Sequence, residues 1–428
     1  MKVAIVGYGV EGRSAYRYYA AQPDVDITVY HKERPTDLPD DVKVVLDAHA
    51  TELNGYDIVL RSPPVAPSSL HTDGRISTIT EEFIDVFGTE RLIGVTGSKG
   101  KGTMSALVHA MLDKAGKRVH LGGNIGVPAL DLVPDVKDGD YVVLELSSFQ
   151  LWAMQKSPHI AVVGMITPDH LDVHADFDDY INAKANIARH QDAEDIIIYH
   201  PTNEHSKWIA DQSPATTKLR YATPEAAHIQ DDYFVIAGQQ ICKTADVQIP
   251  GKHNLENICA ALTAAWRVTQ DVEALARAIR EYKGLEHRIE FVRNVDGVDY
   301  YDDSFAASTS AAVVAAQAFE APKVMILGGY DRGIDLQEMV DELVKLRLRK
   351  VLLIGRTAQK LHELFEAAGK GDLAQELGAA SMTDIVATAR EIAEQGDVVV
   401  LSPGSASFDM FKDYKDRGNQ FKEAVGAL

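Results

Sequence analysis

The sequence predicts an α/β protein of three domains. Three observations carry this: the length, the alternation of short apolar runs with amphipathic stretches, and two glycine-rich turns that each follow an apolar run. A chain of 428 residues exceeds what one hydrophobic core supports. Apolar runs at residues 3–6, 27–30, 57–60, 92–95, 141–146, 160–165, 196–199, 323–327, 350–354 and 397–401 alternate with longer amphipathic stretches, the pattern of parallel strands joined by crossover helices. The expected domains are residues 1–90, 91–284 and 285–428. The first seam follows the loop Ser62-Pro63-Pro64-Val65-Ala66-Pro67 and the helix after it. The second lies at residues 282–286, where a helical stretch gives way to the alternating, strand-like His287-Arg288-Ile289-Glu290-Phe291-Val292.

Composition narrows the function classes. The chain is 46% hydrophobic and 25% charged, as ordinary globular proteins are. Its formal charge of -20, from 43 Lys+Arg against 63 Asp+Glu, argues against nucleic acid and anionic membranes as partners. Cys242 and Cys259 have no metal-ligand spacing, so two core thiols in a reduced, cytoplasmic compartment are expected. The first residues read as a strand rather than a cleavable apolar leader, and no run approaches 18 apolar residues, so no membrane insertion is expected.

The first element is an apolar run followed by Gly7-Tyr8-Gly9-Val10-Glu11-Gly12. This G-x-G-x-x-G turn of a Rossmann-like unit brings a backbone close to a pyrophosphate at a helix N-terminus. A dinucleotide also needs an acid at the end of the second strand to hold the ribose hydroxyls. Here that strand ends Val29-Tyr30-His31-Lys32, and the acid is missing. The turn therefore predicts a strand bending sharply into a helix, with or without a diphosphate on it.

The second turn carries more information. Leu92-Ile93-Gly94-Val95-Thr96 leads into Gly97-Ser98-Lys99-Gly100-Lys101-Gly102-Thr103, with a helix expected from about Met104. Successive N–H groups in such a loop form an anion nest, and Lys101 can reach terminal phosphates. The loop is shorter than the standard P-loop, so Thr103 would supply the Mg2+ hydroxyl. A nucleoside triphosphate needs Mg2+, and Mg2+ needs carboxylates. Glu145 ends the run at 141–146, where a buried carboxylate is costly unless it is paired or on a metal. The loop Thr167-Pro168-Asp169-His170-Leu171-Asp172-Val173-His174 concentrates further candidates. A solvated loop accounts as well for Asp172 and His174.

Together these residues resemble the Mur ligase family, ATP-dependent enzymes that join a carboxylate to an amine in bacterial cell-wall synthesis. The supporting segments span almost the whole chain: residues 7–12, 62–67, 96–103, 122–130, 145–151, 169–172, 251–257, 287–290, Asp302-Asp303-Ser304 and 401–409. The resemblance implies a Rossmann-like N-terminal domain, a central P-loop ATPase-like parallel-sheet domain and a Rossmann-like C-terminal domain. It also implies a monomer that joins D-glutamate to UDP-N-acetylmuramoyl-L-alanine through an acyl phosphate.

Residue by residue, the resemblance puts ATP on Gly97, Ser98, Lys99, Gly100, Lys101, Gly102 and Thr103, with Asn254, Asn257, Arg288 and Asp303 lining the nucleotide site. Lys101, Glu145, His170 and Lys184 become the catalytic set. Thr103, Glu145, His170 and a carbamylated Lys184 would hold two Mg2+ ions. A lysine on a solvated helix face is the plainer reading of Lys184. Gly7, Gly9, Gly12, Ser62, Asn124 and Ser147 would hold the UDP-sugar, and Arg332, Ser407 and Tyr414 the incoming amino acid.

The sequence departs from the family at several of these places. Glu11 replaces a small hydroxyl residue and would repel a diphosphate. Met165 replaces an Asn, and Gly102 a hydroxyl residue. Phe305 stands where relatives carry a lysine, Ala307 where they carry a threonine, and Arg332 where a lysine is expected. Of these three, only Arg332 can bind a carboxylate through its side chain. The Gly-Lys-Gly-Thr spelling at 100–103 resembles folylpolyglutamate synthase, which lacks a separate nucleotide-sugar domain. A Mur-type ligase adding another amino acid and a non-catalytic nucleotide-binding scaffold are the further alternatives. An NAD-dependent dehydrogenase leaves everything after residue 90 unexplained.

Overall fold

The computed structural model describes residues 1–46, 52–331 and 333–428. The chain forms two compact units: Met1–Asp246 with Leu255–Arg280, and Val247–Asn254 with Glu281–Leu428. The fold is α/β, with a parallel sheet in the N-terminal domain, a second in the central domain and a mixed sheet in the C-terminal domain.

The N-terminal sheet contains β1 (Lys2–Val6), β2 (Asp26–Tyr30), β3 (Lys43–Val45), β4 (Ile58–Arg61) and β5 (Arg75–Ser77), all parallel, in the order β3-β2-β1-β4-β5. Helices α1 (Val10–Ala20) and α2 (Ile79–Phe87) cover it. Successive strands step outward from β1 to β3, and the chain then crosses back to β4. A crevice therefore opens beyond the C-terminal ends of β1 and β4, where such sheets bind ligands. The glycine turn and the Ser62 loop both lie there.

The central sheet runs β11 (Thr217–Arg220), β10 (Ile196–Tyr199), β9 (Ile160–Val163), β6 (Leu92–Thr96), β8 (Tyr141–Glu145), β7 (Val119–Gly123), again all parallel. Its inner strands β10, β9, β6 and β8 are largely apolar because helices cover both faces. These include α3 (Lys101–Lys114), the short α4 (Ser148–Leu151), α5 (Phe177–Arg189) and α6 (Glu204–Asp211). One continuous apolar core joins this sheet to the N-terminal sheet, from Val3, Ile5 and Phe83 to Leu130, Leu144 and Ile197. A small antiparallel sheet of β12 (His228–Gln230), β13 (Tyr233–Ile236) and β14 (Gln239–Lys243) precedes α7 (Lys252–Trp266) and α8 (Val272–Glu281).

In the C-terminal unit, β15 (Glu290–Val295) pairs antiparallel with β16 (Val298–Asp302). The parallel strands β17 (Lys323–Gly328), β18 (Leu348–Ile354), β19 (Ala374–Gly378) and β20 (Val398–Leu401) complete the order β15-β16-β20-β17-β18-β19. Alternation along the strands builds two cores. Val324, Ile326, Leu352, Ile354, Val399 and Leu401 face one side, with α12 (Met382–Ile392) and α13 (Tyr414–Gly426). Met325, Leu327, Val351, Leu353, Val398 and Val400 face the other, with α9 (Thr309–Gln317), α10 (Gln337–Leu343) and α11 (Ala358–Ala367).

Three sequence expectations change. The P-loop helix begins at Lys101, not near Met104, because Gly100 takes a left-handed conformation (φ 78°) and caps it. The run at 160–165 leaves the sheet after Val163. The strand expected from His287 starts at Glu290, since His287 (φ 61°) and Ile289 (φ 44°) are left-handed and incompatible with a ladder. Among the described residues, no helix is long and apolar enough to cross a membrane.

Candidate active site

Strands β8, β6 and β9 lie side by side and end together, so the loops leaving them meet. The loop after β6 is the glycine-rich one. A Cβ on Gly100 would collide with Asn257 Oδ1, which places the Asn257 amide against this loop. Lys101, Gly102 and Thr103 open α3 and present the first N–H groups of a helix, an anion-binding arrangement. Lys101 Nζ donates to the Ser98 carbonyl at 3.2 Å. Ser98 is used differently: its N–H donates to the Met165 carbonyl, and its hydroxyl bonds the Thr167 carbonyl (2.8 Å) and the Tyr180 hydroxyl (2.7 Å). Its side chain therefore pins the P-loop to the loop after β9.

Glu145 closes β8 and is buried. Its Oε1 accepts from Asn124 Nδ2 at 2.7 Å, while Oε2 is buried with no hydrogen-bond partner among the described residues. A buried carboxylate oxygen without a donor is costly by itself and suits a cation. His170 sits at φ 55° with its ring 4.9 Å from that of Phe149. Burial, despite the opposing charge of Asp169, holds its imidazole below the ordinary pKa, so the ring is neutral and able to ligate.

Lys184 is fully buried on α5 rather than solvated. Its Nζ donates to the Gly97 carbonyl at 3.0 Å and approaches Thr96 Oγ1 at 3.4 Å, with the Tyr180 ring 4.7 Å away. Burial first, and then the charge of Lys101, hold its amine well below the ordinary lysine pKa.

His174, for which a solvated loop was an adequate reading, is instead buried. Its Nδ1 meets Asp179 Oδ2 at 2.9 Å and its Nε2 meets Ser148 Oγ at 3.0 Å. This looks like a hydrolytic triad, but Ser148 is buried at the start of α4, and Phe149 stacks on the imidazole at 5.2 Å. The chain acts as a strap that fixes the His170 loop to α4.

In the N-terminal crevice, a Cβ on Gly12 would collide with the Gly7 carbonyl, and Gly7 itself (φ 91°) abuts Ser62. Gly9 precedes α1 as its N-cap. Ser62 Oγ is buried with no partner among the described residues. Ser147 caps α4: its hydroxyl accepts from the Gln150 N–H and donates to Gln150 Oε1.

In the C-terminal unit, β16 and β20 end beside each other. Asp303 accepts from Ser402 Oγ (2.6 Å) and the Ile289 N–H (3.1 Å), and burial pushes its carboxyl up to about 7. The Arg288 guanidinium lies 4.1 Å over the Phe305 ring, which in turn packs edge-on against Tyr414. Ser407 is buried. Asn254 donates to the Pro250 carbonyl at 2.6 Å. Arg332 lies outside the described residues.

Residues 95–265 match the Mur ligase middle domain, and residues 287–404 match the Mur ligase glutamate ligase domain. The UDP-N-acetylmuramoylalanine–D-glutamate ligase of Acetivibrio thermocellus is 35% identical, with 100% of this chain and 96% of that protein aligned. The Clostridium novyi enzyme of the same name is 32% identical over 100% and 97%. The chain belongs to the Mur ligase family. Solved Mur ligases share its fold. The UDP-N-acetylmuramate–alanine ligase of Thermotoga maritima matches with a TM-score of 0.59 at 16% identity, over 100% of this chain and 99% of that one. Folylpolyglutamate synthase of Mycobacterium tuberculosis matches with 0.60 at 14%, over 80% and 94%.

This Mur ligase is thus an ATP-dependent amide-forming ligase working with Mg2+. Glu145 supplies the buried oxygen acceptor that such a hard ion takes, and the lowered pKa of His170 leaves an imidazole nitrogen able to ligate beside it. Sequence reasoning missed Arg61, the last residue of β4, which is buried and donates to the carbonyls of Pro63, Val65, Phe149 and Trp152. An arginine closing an apolar strand was the available signal. It also missed the cluster of His287, Asp302 and Glu290. His287 Nδ1 meets Asp302 Oδ2 at 2.6 Å, and Lys422 meets Glu290, fixing the segment that bears Arg288 and Asp303.

Proposed function

We propose that this Mur ligase joins D-glutamate to UDP-N-acetylmuramoyl-L-alanine in peptidoglycan synthesis, as a cytoplasmic monomer. Residues 1–90 bind the UDP-sugar, 91–284 bind ATP, and 285–428 bind the amino acid. The observation that carries the reading is the unpartnered Glu145 Oε2 on the strand beside the phosphate loop, in a chain aligned end to end with D-glutamate ligases.

A carboxylate oxygen of the acceptor attacks the γ-phosphorus of ATP and ADP leaves, giving an acyl phosphate. The amine of D-glutamate then attacks the carbonyl carbon and phosphate departs from the tetrahedral intermediate. Lys101 and the N–H groups opening α3 hold the transferring phosphoryl group, with Asn257 against the same loop; the family resemblance assigns Asn254, Arg288 and Asp303 to ATP as well. Two Mg2+ ions, held by Thr103, Glu145, His170 and a carbamylated Lys184, supply charge to offset that on the phosphates. Lys184 suits carbamylation because its depressed pKa leaves a neutral amine to attack carbon dioxide, releasing one proton. Gly7, Gly9, Gly12, Ser62, Asn124 and Ser147 hold the UDP-sugar. Arg332, Ser407 and Tyr414 receive the amino acid, with Arg332 supplying a bidentate donor that Phe305 and Ala307 lack.

Phosphate release from ATP tests this. The expected result is release that needs both UDP-N-acetylmuramoyl-L-alanine and D-glutamate from a panel with L-glutamate, D-aspartate and glycine. Stimulation by another member reassigns the amino acid, dependence on a folate favours the folylpolyglutamate alternative, and no stimulation by any amino acid contradicts the ligase reading.

A further inference from the structure

We propose that Glu11 takes up a proton when a nucleotide diphosphate-sugar binds the turn at residues 7–12, so that this side chain sets the pH range over which the substrate is held. The proposal rests on the reading of residues 1–90 as the UDP-sugar domain. Glu11 lies in the first turn of α1, whose N–H groups face the crevice between β1 and β4. A negative side chain is ordinarily welcome at a helix N-terminus. Beside a diphosphate it is not.

The surroundings of Glu11 do not compensate its charge. The residue as a whole is partly exposed, but its carboxyl is turned away from solvent toward α4 of the central domain. There Oε1 accepts from the neutral amide of Gln150 at 2.7 Å, and Oε2 is sealed with no partner among the described residues. The cation facing it is Arg61 of β4, yet that guanidinium donates to the backbone carbonyls of Pro63, Val65, Phe149 and Trp152, and Arg61 Nε is buried with no partner among the described residues. Arg61 also lies within the field of Glu81 of α2. Ser62 Oγ, which abuts Gly7 of the same turn, is also buried with no partner among the described residues.

Burial is the largest influence and raises the Glu11 carboxyl to about 7, against the opposing pulls of Gln150 and Arg61. Arg61 is lowered only to about 10 and stays charged throughout. A diphosphate at the turn adds negative charge within roughly 10 Å, which shifts such a carboxyl upward by about one further unit. The protonated acid is neutral, keeps the Gln150 bond, and removes the repulsion that the sequence predicts. His31, whose Nδ1 lies 3.4 Å from the Tyr8 backbone nitrogen, also borders the turn, and substitution at Glu11 leaves it in place.

Calorimetry of the whole protein with UDP-N-acetylmuramoyl-L-alanine, in two buffers of different ionisation enthalpy at pH 7.5, reads the proton directly. The diphosphate diester and the alanyl carboxylate do not titrate there. We expect net proton uptake by the wild-type protein and a Kd that weakens about sixfold from pH 6.5 to 8.5. Glu11→Gln, which mimics the protonated acid, should bind without that uptake and with a flat pH profile. Binding with no uptake by the wild type, or with the same uptake by Glu11→Gln, overturns the proposal. No binding at any pH overturns the UDP-sugar reading and the proposal with it. If Glu11 only pinned α1 to α4, substitution would change Kd equally at every pH.

Discussion

Lys184 and Glu11 show what burial does to a charged side chain. Both are buried with no ion pair among the described residues, and they respond in opposite directions: the amine loses its proton readily, the carboxyl keeps it. Lys184→Ala should lose turnover by more than a hundredfold, and a short carboxylate such as formate should restore part of it. Activity unaffected by the substitution would leave the lysine a packing residue. For Glu11 the sign follows from linkage. Its folded pKa of about 7 exceeds the ordinary 4.5, so the folded protein holds the proton more tightly than the unfolded chain. Stability is therefore lost as pH rises from about 4.5 to 7. Glu11→Gln should leave Tm unchanged near pH 4 and raise it by several degrees at pH 8, a gain of about 2 kcal/mol. The types of these residues were legible in the sequence. Their burial was not, because it depends on α4, α5 and β4 arriving from distant parts of the chain. The same holds for His174, whose strap to Ser148 and Asp179 no local pattern announces.

At the scale of elements, the proposed phosphate loop gains its neighbours because β6 lies between β8 and β9, which lets Gly97 to Thr103, Glu145 and the His170 loop converge. Those strands were readable because a parallel strand covered on both faces must be apolar throughout. The edge strands β3, β5, β7, β11 and β19 were not, since short, half-exposed segments carry no such run. Arg61 joins elements instead of ending one. It clamps the loop after β4 to the Phe149 and Trp152 carbonyls at the end of α4, where a cation also meets the helix dipole. Arg61→Met should cost about 3 kcal/mol in denaturant unfolding, because several buried carbonyls lose a charged donor. A change below about 0.5 kcal/mol would show that water replaces those bonds.

For the whole molecule, the central claim is acyl-phosphate chemistry directed by the P-loop. Lys101→Ala should abolish turnover while UDP-sugar binding by residues 1–90 persists; an unchanged rate would remove Lys101 from the phosphate site. The three-domain α/β plan was legible from alternation and two glycine turns, whereas the amino-acid site was read from scattered positions, of which Arg332 lies outside the described residues. The most direct test uses UDP-N-acetylmuramoyl-L-alanine with both alanyl carboxylate oxygens labelled with ¹⁸O, in the presence of ATP and D-glutamate. Attack by the carboxylate on ATP, and loss of phosphate to the amine, predict one ¹⁸O in each phosphate released together with an amide product. Unlabelled phosphate, or release indifferent to D-glutamate, would contradict the account.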